Sequence, residues 1–203
     1  AVEDPQLRFC ERNVADAIFR PTPYEPMEAR ADEKIDNNHR VAIYTDGACT
    51  RQATHPRLRC AGIGVHFATG HPGNVSLPLP GKCQTNQRAE LLAVVTAMRR
   101  DPRPVHIKTD SEYVVRGFEL YHQWMHEGWK GSHVDLWTQF NEILAEDPSR
   151  VHISKVLGHA TWLDVRLGKS SREDKLGNDA ADRLAVDGSN MHPAGIVLQR
   201  QVQ

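Results

Sequence analysis

Between Val41 and Pro80 three strand-patterned runs follow one another with no helix-length segment between them, and after Thr85 the chain alternates helical and strand periods. VAIYTDGA (Val41–Ala48) alternates and ends on Asp-Gly, AGIGVHFA (Ala61–Ala68) is rich in glycine and β-branched residues, and NVSLPLP (Asn74–Pro80) follows a Pro-Gly turn. Short runs joined in this way predict an antiparallel meander. Thr85–Arg100 opens on the cap candidates Thr85 and Asn86 and sets Leu91, Val94, Val95 and Met98 at helical spacing. Asp101-Pro102 and Pro104 stop that helix, and VHIKTD gives a fourth strand ending on Asp110-Ser111, a helix start signal. Ser111 to about Glu127 carries Val114, Val115, Phe118 and Tyr121 before Gly128 breaks it, and a further amphipathic segment spans about Val134–Ala145. VHISKVL (Val151–Leu157) returns to the strand pattern, and Asn178–Val186 makes a final short helix with Ala181, Leu184 and Ala185 inward. The order β-β-β-α-β-α-α-β-α predicts an α/β fold: a five-stranded mixed sheet, three meander strands followed by parallel ones, flanked by helices. Ligands of such sheets collect at the carboxyl ends of the parallel strands.

The 203 residues, 39% of them hydrophobic, suit one domain plus extra material. Residues 1–40, with Pro21, Pro23 and Pro26 close together, read as an irregular extension that wraps or links. Residues 41–190 read as the domain, with a loop insertion over 161–177, and residues 191–203 as a tail. Lysine and arginine (25) nearly cancel aspartate and glutamate (26), leaving a net charge of −1. A polyanionic ligand must therefore be met by a local basic patch or by metal. Cys10, Cys49, Cys60 and Cys83 form no C-x-x-C pair and no zinc spacing with histidine, so reduced thiols in an intracellular protein are expected. No apolar run approaches the roughly 20 residues a membrane helix needs, and no secretory signal stands at the start. A soluble protein with no membrane partner is expected, its compartment open among cytoplasm, nucleus and mitochondrion. A chain that begins on alanine is expected to be a processed product or part of a longer protein.

Asp46 and Asp110 each stand where a hydrophobic run meets a turn, so parallel pairing of the first and fourth strands would bring both carboxylates to one sheet end. Glu90 lies one position off the apolar stripe of its helix, and Asp182 lies one turn after Asn178 beside inward residues. Taken singly, Asp-Gly is a turn, Asp110 before serine a helix cap, and Glu90 or Asp182 a solvated helix residue. Taken together, four acids from four elements can converge. Clustered carboxylates repel one another, and burying them uncompensated costs several kcal/mol, so such a cluster implies cations. Oxygen-only ligands point to Mg²⁺, with Mn²⁺ as a substitute. Two such ions about 4 Å apart can activate a water and stabilise a leaving oxygen at a phosphodiester.

YTDGAC (Tyr44–Cys49), TNQRAEL (Thr85–Leu91), TDSEYV (Thr109–Val114), GHA (Gly158–Ala160) and NDAADRLA (Asn178–Ala185) resemble, in order, the motifs of the type 1 ribonuclease H family. The resemblance covers roughly residues 41–188. It implies a ribonuclease H-like fold and a magnesium-dependent endonuclease that hydrolyses the RNA strand of RNA–DNA hybrids. It implies Asp46, Glu90, Asp110 and Asp182 as ligands of two Mg²⁺ ions and His159 as a mobile histidine that moves protons or helps product leave. Thr85, Asn86 and Gln87 correspond to contacts in the hybrid's minor groove, where 2′-hydroxyls distinguish RNA from DNA. Trp124, Trp129 and Lys130 resemble the basic, tryptophan-containing grip on the DNA strand, whereas Trp137 reads as core.

The chain also departs from the family. Only Gly131, Ser132 and His133 separate Trp129-Lys130 from the Val134-Asp135-Leu136-Trp137 run, so the basic protrusion is largely missing, and Cys83 beside Lys82 stands where a phosphate-pocket arginine is expected. Between His159 and Asp182 lie 22 residues, more than in compact relatives, including Arg166, Lys169, Arg172 and Lys175. No second hybrid-binding domain is visible in residues 1–40. Two alternatives stay open beside the nuclease: a subunit of a larger ribonucleoprotein, docked through the N-terminal extension or the 161–177 segment, and the ribonuclease H part of a retroelement reverse transcriptase.

Overall fold

The computed structural model of the chain describes residues 30–50, 59–128 and 132–192. Its centre is a five-stranded mixed sheet in the order β3-β2-β1-β4-β5, formed by β1 (Val41–Thr50), β2 (Cys60–His66), β3 (Val75–Pro78), β4 (Val105–Thr109) and β5 (Val151–Lys155). β2 lies antiparallel to both β1 and β3, while β1/β4 and β4/β5 are parallel. This is the meander-then-parallel sheet that the sequence predicts. The helices are α1 (Asn86–Arg100), α2 (Glu112–His126), α3 (Val134–Glu146), the short α4 (Trp162–Arg166) and α5 (Arg172–Asn190).

The period of two sorts each strand between the sheet's faces. Ile43, Ile63, Val65 and Ile107 join α1 and α3 in one core that includes Leu91, Val94, Met98, Trp137 and Phe140. Arg88 of α1 and Asp135 of α3 form a buried two-pronged ion pair across that layer, with N–O distances of 2.9 and 2.6 Å. The other face of β1 and β2 receives α5, and here the sequence supplies almost no side-chain volume. A Cβ on Gly62 would land on the backbone of Ala185 and Ser189, and one on Gly64 on the backbone of Ala181 and Ala185. Small residues on both sides thus let α5 lie flush on the sheet.

Three boundaries differ from the sequence reading. β1 does not close at Asp46 but continues to Thr50, because its second half still pairs with β2 after its pairing with β4 has ended at Thr45↔Thr109. The expected loop over 161–177 is helical: Thr161 and Asp164 cap α4 reciprocally, and Ser171 caps α5, which starts six residues before Asn178 and ends four after Val186. The last residues of the expected extension pack onto the domain. The Ala42 N–H donates to the Lys34 carbonyl at 2.8 Å, and buried Glu33 accepts from both Nη atoms of Arg103 at 2.9 Å and meets His71 Nε2 at 3.0 Å. Residues 1–29, and most of the expected tail, lie outside the described residues. Among the described residues no helix is long and apolar enough to cross a membrane.

The glycines under α5 are rigidly constrained, since the atoms a Cβ would meet are backbone. Gly62→Ala and Gly64→Ala are each expected to lower the unfolding free energy by about 1–3 kcal/mol or more. Urea denaturation checks this, and unchanged midpoints would contradict the flush packing.

Candidate active site

The parallel register between β1 and β4 ends at Thr45↔Thr109, so the next residues, Asp46 within β1 and Asp110 just past β4, stand side by side at the end of that pairing. Asp46 is buried and its Oδ1 accepts from the Gly47 N–H at 2.7 Å. Asp110 is half-buried and accepts from Asn178 Nδ2 of α5 at 3.3 Å. Glu90 comes from α1: its Oε1 accepts from Asn86 Nδ2 and its Oε2 from Ser111 Oγ, both at 2.6 Å. Asp182, half-buried on α5, completes the set. Two glycines make this assembly possible. A Cβ on Gly47 would strike the backbone of Ala89 and Glu90, and one on Gly158 would lie 2.5 Å from Asp110 Oδ2.

The charges act on one another. Burial pushes the Asp46 carboxyl up to about 8, with Asp110, Asp182 and Glu90 adding to the rise and the Gly47 N–H opposing it. Burial also raises Glu90, against the hydrogen bond from Ser111, and the charge of Asp110 raises it further. A set of oxygen-only donors that destabilise one another in this way fits a hard divalent cation. Among the described residues no three His, Cys, Asp or Glu side chains form a ready-made metal cage.

The other predicted residues divide. Thr85 is the N-cap of α1, its side chain accepting from the Arg88 N–H at 3.3 Å, and Gln87 is exposed beside it. His159 is exposed and sits in the left-handed region at φ 48°. Trp124 is half-buried, its ring edge-on to Trp137 at 5.7 Å, so much of it is core packing. Trp137 is fully buried, as expected. Trp129 and Lys130 lie outside the described residues. The sequence reading passed over Ser111 and Asn178 as partners of the carboxylates. Ser111 follows Asp110 directly and Asn178 lies one helical turn before Asp182, so a hydroxyl or amide at those spacings from motif acids is the signal that would have found them.

Residues 38–190 match the RNase H family model. The chain belongs to the RNase H family. Ribonuclease H1 of Mus musculus is 34% identical over 154 residues, covering 73% of this chain and 50% of that protein. Ribonuclease H of Idiomarina loihiensis is 31% identical over 160 residues, covering 73% of this chain and 92% of that protein. The solution structure of the PFV RNase H domain matches with a TM-score of 0.57 at 29% identity, covering 73% of this chain and 93% of that one. The chain spans about half the length of the mammalian ribonuclease H1 proteins it matches. Members of the RNase H family generally use divalent metal ions.

With the unfolded Asp46 titrating near the ordinary aspartate value of about 3.9, the metal-free fold binds more protons than the unfolded chain between about pH 4 and 8. It therefore loses stability as pH rises through that window. Asp46→Asn removes the loss: in EDTA the variant is expected to exceed the original protein at pH 8 by about 2 kcal/mol or more, with the gap closing towards pH 4. Urea unfolding at both pH values checks this, and equal stability at pH 8 would show that the fold does not raise the Asp46 carboxyl.

Proposed function

We propose that the chain is an endoribonuclease that hydrolyses the RNA strand of RNA–DNA hybrids. The observation that carries this reading is the arrival of Asp46, Glu90, Asp110 and Asp182, from four separate elements, at the carboxyl end of the parallel β1/β4 pair in a chain of the RNase H family. Two Mg²⁺ ions, or Mn²⁺ in their place, would lower the pKa of an attacking water and stabilise the departing oxygen. The four carboxylates would hold them, and a bound cation would offset the burial and mutual repulsion that raise Asp46 and Glu90.

The chain's own residues would do the rest. Asn86 donates one amide hydrogen to Glu90, which ties the helix start to the carboxylates and leaves its carbonyl oxygen for a ribose 2′-hydroxyl. Thr85 and Gln87 flank it on the same turn, so recognition of RNA and cleavage of RNA would share one helix terminus. Trp124, with Trp129 and Lys130, would face the DNA strand. His159, exposed beside Gly158, would move protons or help the product leave, as the family resemblance implies. In-line attack by water would leave a 5′-phosphate and a 3′-hydroxyl. A second reading, the RNase H unit of a reverse transcriptase, is supported by the likeness to the Prototype Foamy Virus protease-reverse transcriptase and shares this chemistry.

The test is cleavage of a labelled RNA–DNA hybrid in Mg²⁺, with EDTA and Asp110→Asn as controls. Metal-dependent cutting of the RNA strand is expected, falling by about 10²-fold or more in the variant, while duplex DNA and duplex RNA stay intact. Absence of cutting in both Mg²⁺ and Mn²⁺ at low salt, or equal cutting of all three duplexes, would sink the reading.

A further inference from the structure

The 161–177 segment presents large apolar side chains to solvent from a rigid frame. Trp162 is 56% exposed, Leu163 52% and Leu167 60%. The frame is built at both ends. Thr161 and Asp164 cap α4 reciprocally, and the Lys169 N–H closes back onto the Asp164 carbonyl at 2.9 Å. At the start of α5, Asp174 Oδ1 accepts from Tyr44 Oη at 3.0 Å and from Lys108 Nζ at 2.5 Å, while Gly177 lies flush on the Tyr44 ring. Lys175 stands 5.4 Å from the centre of the Trp162 ring and donates to Asp179 at 2.7 Å. Exposed apolar side chains grouped in this way mark an interaction surface.

We propose that Trp162, with Arg166, Lys169 and Arg172, forms a second grip on the nucleic-acid substrate, standing in for the shortened basic stretch after Lys130; this rests on the hybrid-cleaving reading above. Position supports it. Lys175, which faces Trp162, lies seven residues before Asp182 on one helix, about 10 Å along its axis, or about three nucleotide steps of a strand. Chemistry supports it too. Arg166 and Arg172 have no ion-pair partner among the described residues, and Lys169 reaches Asp164 only loosely, at 3.7 Å between exposed groups. Exposed aromatic rings combined with cations hold single strands and unstacked bases, and Trp162 and Arg166 stand one helical turn apart on α4.

The full chain carrying Asp110→Asn, which leaves the hybrid uncut, allows binding to be read by fluorescence anisotropy, and the active chain gives KM and kcat separately. Trp162→Ala is expected to raise Kd and KM about 10-fold with kcat unchanged, and Trp162→Phe to restore most of that loss. Arg166→Ala with Arg172→Ala is expected to reduce the slope of log K against log salt by about 2. Because these side chains are exposed, thermal midpoints should match the parent, which separates lost grip from lost fold. Unchanged Kd, KM and salt slope in an active enzyme would overturn the proposal and assign the patch to a protein partner. A fall in kcat alone would overturn it as well. If the original chain binds hybrid without cutting it, the activity reading falls while the anisotropy series still decides the grip.

Discussion

The site depends on the parallel pairing of β1 with β4. Its register sets Thr45 beside Thr109, both fully buried, and thereby fixes Asp46 and Asp110 side by side where the parallel pairing ends. A slip of one residue would send one of the two carboxylates to the opposite face. The slip is opposed by the core itself, since Ile43 and Ile107 must both stay on the side packed by α1. Hydrophobic burial on one face of the sheet thus positions charge at its edge.

Bringing like charges together works against folding, and the local structure shows how the opposition is contained. Glu90 accepts two short hydrogen bonds, from Asn86 and Ser111, which favour its charged form. Asp46 has one such donor, the Gly47 N–H, and its carboxyl is driven up to about 8. The asymmetry is informative. Asp46, the most buried of the four, has fewer such donors than Glu90, so the protein itself does less to favour its ionised state. Gly47 and Gly158 belong to the same arrangement, because each removes the Cβ that would otherwise hold a neighbouring carboxylate element away.

Strand order and the helices with a clear apolar stripe were legible because burial writes itself into period 2 and period 3.6. The acids were legible only through their flanks, since an aspartate at a strand end looks the same whether it caps a turn or faces another charge. The helical nature of 161–177 escaped periodicity because α4 buries none of its residues and the first turns of α5 bury few. The signal lay in caps instead: Thr161 with Asp164 and Ser171 with Asp174 repeat the spacing of a helix start. The packing of Glu33 against Arg103 and His71 was equally hidden, because a pairing across 70 residues leaves no local pattern.

The long α5 joins these features mechanically. Its inner face is fixed by the glycines of β2, its middle carries Asn178 and Asp182 to the carboxylates, and its first turn is tied to the sheet by Asp174 through Tyr44 and Lys108. Tyr44 and Lys108 are register partners on β1 and β4, two residues before Asp46 and Asp110 on the same face of each strand. The alternation that aims the two aspartates at the site therefore also aims the groups that anchor the inserted segment. Whatever α4 contacts is consequently held at a set distance from the carboxylates, which a flexible loop of equal length could not achieve.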